Sequence, residues 1–182
     1  MNKKIVYPIV LLLVIMAVIF IANKRVSSAQ SSYNTIEGFA QGGTYRFVYK
    51  TPQDFSIRLT DSLSRYFHQI NKSLSGYDST SIVSKINRGE NPKLDQLFID
   101  CFNLSKEIWE KTDGHFDISA APLFDLWGFG FKNKEKITQQ KIDSLKEFIG
   151  MDKLSIVYDS LTYAHYLKKD DPRIKVNFNA IA

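Results

Sequence analysis

Residues 112–131 read TDGHFDISAAPLFDLWGFGF, and they are the most informative stretch of this 182-residue chain. The stretch is too rich in glycine and proline to predict an amphipathic helix, and too irregular to predict a long strand. Aromatic residues alternate with glycine over residues 127–131, a pattern that either lines a pocket or closes a core. His115 and Asp117 have the chemistry of a general base, although a histidine near an aspartate is more often a hydrogen-bonded structural pair. The residues alone therefore indicate a site here without fixing its chemistry.

The chain before this stretch predicts one strand and two helices. Tyr45, Phe47 and Tyr49 alternate with polar or smaller residues, which is typical of a half-buried strand. Residues 51–54 (TPQD) predict a helix start, and residues 75–81 predict a turn-rich loop. The apolar residues at helical spacing are Leu59, Leu63, Tyr66, Ile70 and Leu74 for the first helix, and Leu94, Leu97, Phe98, Cys101, Leu104, Ile108 and Trp109 for the second, which ends at Thr112-Asp113-Gly114.

The chain after this stretch predicts a further helix and three strands. The helix is expected over residues 138–149, and two strands are expected over Leu154–Tyr158 and Tyr163–Leu167. A last strand is predicted over Ile174–Phe178, where apolar and polar residues alternate strictly. Because strands and helices are mixed without regular βαβ alternation, the predicted fold class is α+β.

The N-terminal residues predict a membrane segment. Ile5–Ala22 is a run of 18 residues without a charged side chain, and as a helix it would span roughly 27 Å, close to the thickness of a bilayer core. An uncleaved anchor is favoured over a signal peptide cleaved near Ser27-Ser28-Ala29, because the apolar run is long for a signal core. We therefore assign residues 1–29 to the anchor or signal segment and residues 30–182 to a globular domain, with residues 23–40 as a tether.

Composition argues against nucleic-acid binding and excludes two uses of cysteine. Residues 1–30 carry four basic residues and no acidic one, so the remainder holds 20 basic against 19 acidic residues and offers no electrostatic footprint for nucleic acid. Cys101 is the only cysteine, so an intramolecular disulfide and a thiolate zinc site are excluded, and its predicted role is a small buried hydrophobe.

Three more segments are poorly explained by core packing. Residues 40–45 (AQGGTY) contain paired glycines that would let a backbone approach a ligand, or would simply form a turn. Tyr77, on the loop Gly76-Tyr77-Asp78, could stack on a planar ring or fold back onto the protein. Residues 176–182 (VNFNAIA) end a predicted strand, where exposed carbonyl oxygens suit a hard cation such as Mg²⁺.

In this order and spacing, the four segments together resemble the ApbE family, the FAD:protein FMN transferases. The most specific match is residues 112–130, which resemble the family's helix-ending turn, its Phe-Asp pair, its Gly/Ala-Pro-Leu step and its Leu-Trp-Gly-Phe-Gly motif. The matching segments are Gln41-Gly42-Gly43-Thr44-Tyr45; Ser75-Gly76-Tyr77-Asp78 with Ser81-Ile82-Val83-Ser84-Lys85-Ile86-Asn87; Thr112-Asp113-Gly114, Phe116-Asp117, Ala121-Pro122-Leu123 and Leu126-Trp127-Gly128-Phe129-Gly130; and the final residues up to Ala182.

The resemblance implies a T-fold-type domain and a Mg²⁺-dependent enzyme that transfers FMN from FAD to a threonine of an acceptor protein, releasing AMP. The acceptor type is a flavoprotein subunit of electron transport, and no catalytic residue is implied. The residues that fall on flavin-nucleotide contacts are Gln41, Tyr77, His115, Phe116, Asp117 and Asn177, and Ala180 falls where a main-chain carbonyl holds the metal.

The resemblance also implies that the chain is an incomplete version, because the family continues beyond the Ala-Ile-Ala segment into a half that holds further metal ligands. With the apolar N-terminal run, it predicts a location at the cell inner membrane, on the periplasmic or extracytoplasmic side. The alternatives are a membrane-tethered FAD-binding protein without transferase activity and a nonfunctional remnant. A hydrolase using His115 and Asp117 is disfavoured, because no Gly-x-Ser-x-Gly elbow or metalloprotease helix motif accompanies them.

Overall fold

The computed structural model describes residues 12–21, 32–51, 55–129 and 136–181. The chain divides into two compact units, Met1–Ser64 and Arg65–Ala182. Residues 12–21 are helical (α1). Among the described residues, no helix is both long enough and apolar enough to cross a membrane. Residues 5–11 and 22 of the apolar run lie outside the described ranges, so the anchor stays a prediction.

The first unit contains an antiparallel hairpin of β1 (Ser32–Ala40) and β2 (Gly43–Thr51). Gln41 and Gly42 form its two-residue turn with φ of 54° and 78°. Positive φ at both central residues matches the right-handed twist of the flanking strands, and glycine adopts it without steric cost. The predicted strand at 45–49 is therefore confirmed. The predicted tether is wrong over residues 32–40, because these residues form β1 and pair with β2 along their whole length.

Helix α2 (Ser56–Leu74) confirms the first predicted helix. Its predicted start falls on Thr51, the last residue of β2, and on residues 52–54, which lie outside the described ranges. Leu74 is buried, whereas Tyr66 is exposed. The helical spacing was therefore read correctly, but one aromatic residue of the predicted apolar face meets solvent.

The second unit continues with helices and one hairpin. Ser81 caps α3 through its hydroxyl, which accepts a hydrogen bond from the Ser84 N–H, and Asp95 caps α4 in the same way at the Phe98 N–H. Strands β3 and β4 confirm the two predicted strands, and the structure shows that they pair antiparallel. The bounds are α3 Ile82–Asn87, α4 Gln96–Lys111, α5 Ala121–Trp127, α6 Gln139–Lys146, β3 Leu154–Asp159 and β4 Ala164–Lys169.

The core of the second unit forms around Phe98 and Phe178, whose rings meet edge to face with centroids 5.1 Å apart. Cys101 packs against this core but is half-buried, where the sequence predicted a buried side chain, and burial raises the pKa of its thiol. The buried members of the core are Leu74, Val83, Ile86, Leu94, Phe98, Phe102, Ile118, Met151, Leu154, Leu167, Ile174, Val176 and Phe178.

Helix α5 corrects the expectation that the stretch 112–131 contains no helix. A single 3₁₀ turn (Ile118–Ala120) leads into Ala121–Trp127, with Pro122 in the first helical turn. Proline is tolerated there because the first N–H groups of a helix have no intrahelical partner. Gly128 ends the helix with φ 78°, the left-handed conformation usual after a helix. The proline and the glycine that argued against a helix stand at its start and at its end, respectively.

The last predicted strand is also corrected. Ile174, Val176 and Phe178 are fully buried, so the alternation was read correctly. In the described part of the chain, however, residues 174–178 belong to no β-ladder. Their backbone is bound instead by the side chain of Asn87 and by the Ile118 carbonyl.

Candidate functional site

Two clefts meet in the second unit and share three residues, Phe129, Asn177 and Asn179. The first, of about 270 Å³, contains Tyr77 and is named the Tyr77 cleft. The second, of about 660 Å³, contains His115 and is named the His115 cleft. Together they reach the size usual for sites that bind small molecules.

The loop that carries Tyr77 is held by short polar contacts. The Ser75 hydroxyl accepts hydrogen bonds from the N–H groups of Tyr77 (3.0 Å) and Asp78 (3.2 Å). The Ser75 carbonyl accepts a hydrogen bond from the Ser81 hydroxyl at 2.5 Å, and the Gly76 carbonyl accepts one from the Ser84 hydroxyl at 3.2 Å. The backbone is thereby fixed while the Tyr77 side chain stays 70% exposed at the cleft.

Asp78 fastens the same loop electrostatically. Its carboxylate accepts hydrogen bonds from the N–H and the hydroxyl of Thr80, and pairs with the Lys72 ammonium at 3.1 Å. The Thr80 hydroxyl, followed by its N–H and by Lys72, lowers the pKa of Asp78 to about 2. The loop therefore keeps this anchor at any pH near neutrality.

His115, Phe116 and Asp117 line the His115 cleft, but His115 and Asp117 do not form the pair that the sequence left open. The His115 ring Nδ1 lies 2.9 Å from the Thr112 carbonyl. Asp117 accepts hydrogen bonds from the Ser119 N–H (2.7 Å), the Ser119 hydroxyl (2.6 Å) and the Met151 N–H (3.0 Å). Both oxygens of Asp117 therefore bind groups of the protein framework, and His115 and Asp117 are not hydrogen-bonded to each other in this structure.

The segment after Val176 supplies the shared wall of the two clefts. The Asn177 N–H donates to the Ile118 carbonyl at 2.8 Å, and the Asn177 side-chain oxygen accepts the Asn179 N–H at 2.7 Å. A turn follows, closed by the Ile181 N–H on the Phe178 carbonyl, and it places Ala180 at the rim of the His115 cleft. Asn177 therefore touches both clefts, and Ala180 one.

Gln41 lies elsewhere in the chain. It occupies the tip of the β1–β2 hairpin, in the first unit, where the sequence had left open a turn or a ligand contact. The turn is confirmed, and the flavin contact stays a prediction.

The oxygen donors near Ala180 fit part of the coordination shell of Mg²⁺, the ion that the resemblance implies. Mg²⁺ prefers carbonyl, amide, carboxylate and water oxygens. The His115 cleft is lined by Asn177, Asn179 and Ala180, which carry amide and carbonyl oxygens. The described residues contain no group of three or more His, Cys, Asp or Glu side chains that could hold a metal ion. They therefore offer neutral oxygen donors rather than a carboxylate cluster.

Three residues of the Tyr77 cleft were missed by sequence reasoning: Asn87, Arg88 and Lys175. Arg88 donates to the Ser79 carbonyl at 2.7 Å and pairs with Glu90 at 2.8 Å. Lys175 lies 4.0 Å from the Asp125 carboxylate. The sequence signal was weak, because these residues sit at a helix end and within an alternating stretch, where polar residues are common.

Comparison with known proteins places this architecture. The family model described as "ApbE family" matches residues 42–182. The FAD:protein FMN transferase of Buchnera aphidicola subsp. Schizaphis graminum is 28% identical over 144 residues, 76% of this chain and 42% of the relative. That of Escherichia coli (strain K12) is 28% identical over 131 residues, 69% of this chain and 37% of the relative. The chain thus spans less than half the length of these relatives.

Solved structures agree on the fold. The apo form of Pseudomonas stutzeri flavinyl transferase ApbE superposes with a TM-score of 0.73 at 25% identity, over 84% of this chain and 51% of that one. Flavin transferase ApbE from Vibrio cholerae gives a TM-score of 0.72 at 22% identity, over 83% and 49%. Both confirm the predicted mixed arrangement of helices and strands. By the extent of the family match and by its fold, this chain belongs to the ApbE family.

Proposed function

We propose that this chain is part of an FAD:protein FMN transferase, the activity named for its relatives. The observation that carries the proposal is the convergence of Tyr77, residues 115–117, Asn177 and Ala180 on two clefts joined at Asn177. These residues come from segments up to about a hundred positions apart, and each was assigned to flavin-nucleotide or metal contact from the sequence. A dinucleotide has two planar ends joined by a pyrophosphate, which suits two adjoining clefts better than one.

The aromatic residues of the clefts supply surfaces for planar rings. Tyr77 is 70% exposed on its fixed loop, and Phe129 is 74% exposed where the two clefts join. Exposed rings held by rigid backbone lose little freedom when a flavin or adenine stacks on them. Arg88 and Lys175 line the Tyr77 cleft and offer cationic groups to an anionic ligand, although each has an acidic neighbour, Glu90 at 2.8 Å and Asp125 at 4.0 Å.

In the proposed reaction, a threonine hydroxyl of the acceptor protein attacks the phosphorus of the FMN half of FAD. The bond between that phosphorus and the bridging pyrophosphate oxygen breaks, AMP leaves, and the hydroxyl proton passes to solvent. The residues of this chain would bind and orient the dinucleotide, with Mg²⁺ near Ala180 neutralising pyrophosphate charge. We extend the proposal to a membrane-tethered protein outside the cytoplasm, on the strength of the apolar run Ile5–Ala22.

The test is an assay of the full-length protein with FAD, Mg²⁺ and a candidate acceptor. Expected products are AMP and acceptor carrying covalent flavin; an acceptor whose target threonine is alanine is the control. FAD binding without AMP release would support the alternative, a tethered FAD-binding protein without transferase activity. Absence of FAD binding in the presence of Mg²⁺ contradicts both.

The Tyr77 contribution has a matched control in this chain. Tyr77→Ala should weaken FAD binding by about tenfold, because a stacking contact contributes about 1 kcal/mol or more. Tyr163→Ala removes a ring that is 82% exposed and lines neither cleft, and it should leave FAD affinity unchanged. Equal effects of the two substitutions would remove the assignment of Tyr77. Membrane attachment is checked separately, by whether the protein stays in the membrane fraction after alkaline extraction.

A further inference from the structure

Asn87 joins two parts of the clefts that lie far apart in sequence. Its side-chain amide donates to the Val176 carbonyl at 2.9 Å, and its side-chain oxygen accepts the Val176 N–H at 2.8 Å. The two residues are 89 positions apart. One carboxamide thus satisfies both backbone groups of Val176, as a neighbouring strand would in a sheet.

Helix α3, which ends at Asn87, also holds the opposite wall. Ser81 and Ser84 donate to the carbonyls of Ser75 and Gly76, at the base of the Tyr77 loop. Arg88, directly after the helix, donates to the Ser79 carbonyl at 2.7 Å. The short helix and the residues that flank it are therefore bonded both to the Tyr77 loop and to the segment that carries Asn177.

Lys169 also links the end of α3 to the segment before Val176. Its ammonium donates to the carbonyls of Ile86 (3.2 Å), Pro172 (2.9 Å) and Ile174 (3.0 Å). Ile86 precedes Asn87, and Ile174 lies two residues before Val176. Lys169 therefore binds the same two segments that the Asn87 side chain joins. Burial lowers the pKa of Lys169, as expected for an ammonium whose hydration is replaced by carbonyls.

From this arrangement we propose that Asn87 is a positioning residue for flavin-nucleotide binding: its two hydrogen bonds to Val176 set the distance between Tyr77 and Asn177 across the Tyr77 cleft. The proposal rests on the proposed function. Asn177 follows Val176 directly, and its own N–H is bound by the Ile118 carbonyl. Loss of the Asn87 contacts would therefore leave the Ile118 hydrogen bond to hold the Asn177 backbone without the support at Val176.

The first test compares Asn87→Ala with Asn103→Ala, an exposed asparagine on α4 that lines neither cleft. Asn87→Ala should weaken FAD binding by about tenfold or more, the effect of two lost hydrogen bonds on a preorganised site. It should also raise amide hydrogen exchange in residues 174–178 of the ligand-free protein. Asn103→Ala should change neither. Both are measured well below the melting temperature of each variant.

A second variant separates positioning from simple loss of packing. Asn87→Asp keeps the shape and the acceptor of the side chain but cannot donate to the Val176 carbonyl while ionised. Protonation restores that donor, so its FAD affinity relative to the unsubstituted protein should recover as pH falls, whereas Asn87→Ala should show no recovery. The charged groups nearest this position are Arg88, Lys175 and Asp125 in the same cleft and Lys169 at the Ile86 carbonyl; they influence the pH at which the recovery occurs and are present in every variant.

The outcomes distinguish the two proposals. If the unsubstituted protein binds FAD and Asn87→Ala binds it equally well, the positioning role is overturned and the proposed function stands. If Asn87→Asp shows no pH-dependent recovery, the hydrogen bonds are not the cause and the role is likewise overturned. If the unsubstituted protein does not bind FAD with Mg²⁺ present, both proposals fail together.

Discussion

Strand β4 and the segment Ile174–Phe178 are both extended and both bury apolar side chains, but their backbones are hydrogen-bonded differently. Leu167 of β4 is 8% exposed, and Ile174 and Phe178, which belong to a strict apolar–polar alternation, are at most 1% exposed. The backbone of β4 pairs with β3, with Leu167 opposite Ile156. The backbone of the later segment is bound by the Asn87 side chain and the Ile118 carbonyl.

The comparison teaches that alternation reports burial and not pairing. A period of two requires only an extended backbone with one face in the core. Which groups then satisfy the N–H and C=O of that backbone is decided by whatever lies beside it. A side-chain amide at the end of α3 does this as well as a strand, and it leaves the following residue, Asn177, at the clefts instead of inside a sheet.

The largest expected effect tests whether burial is equally important in both regions. Phe178→Ala should lower the free energy of unfolding by about 3–5 kcal/mol, because it removes a fully buried ring in contact with Phe98. Leu167→Ala should cost about 2–3 kcal/mol, at the low end for leucine because the side chain keeps some exposure. Both are measured by urea denaturation.

Lys168→Ala is the control for that pair, since Lys168 is exposed in β4 and should change stability by less than about 0.5 kcal/mol. A cost for Phe178→Ala as small as that of the control would mean that residues 174–178 contribute little to the core. The comparison with β4 would then fail at its first step.

Local sequence signals predicted those parts of the fold whose cause is local. Helices α2, α4 and α6 and strands β2, β3 and β4 follow from periodicity within one element. Helix α5 was missed because Pro122 and Gly128 were weighed as helix breakers when they stand at its two ends. Strand β1 was missed because the polar, Ser-rich character of the residues before it was extended through Ala40, whereas residues 32–40 pair with β2 and bury Ile36.

The candidate site was predictable in part for the same reason. Tyr77, Asn177 and residues 115–117 stand out as short motifs, and the structure brings them to adjoining clefts. Asn87 could not be assigned, because its role depends on a contact with a residue 89 positions away. The role of Asp117 was also hidden, since its partners at Ser119 and Met151 become visible only after folding.

Asp117 offers the next largest effect, as a second side chain that replaces strand pairing in binding backbone groups. Asp117→Asn should lower the free energy of unfolding by about 2 kcal/mol, because it weakens charge-assisted hydrogen bonds to the N–H groups of Ser119 and Met151. Asp61→Asn, an exposed position on α2, is the control and should stay within about 0.5 kcal/mol. Equal stability of the two variants would show that Asp117 is not part of the framework.

The turn between the two compared regions should respond to pH. Asp171 accepts hydrogen bonds from the N–H and the guanidinium of Arg173, and the guanidinium lowers the pKa of Asp171 from 3.8 to about 2. A lowered pKa in the folded state means that Asp171 stabilises the fold above pH 3.8, and that this stabilisation is lost as the pH falls towards 2.

Asp171→Asn therefore should melt at a lower temperature than the unsubstituted protein at pH 5–7, by an amount that shrinks below pH 4 and disappears near the lowered pKa. The measurement is the difference in melting temperature between the two proteins across this pH range. A difference that stays constant down to pH 2.5 would mean that the carboxylate charge has no part in holding the turn.

The smallest effect is expected at the start of β4, where sequence reasoning placed Tyr163 in the strand and the structure places it in the preceding turn with φ 51°. Tyr163→Gly should change the free energy of unfolding by less than about 0.5 kcal/mol, because relief of left-handed strain offsets the greater freedom of glycine in the unfolded chain. Ala164→Gly, one residue later and within β4, has no strain to relieve and should cost about 1 kcal/mol. Urea denaturation of both variants gives the two changes in the free energy of unfolding. Equal losses at the two positions would show that Tyr163 behaves as a strand residue.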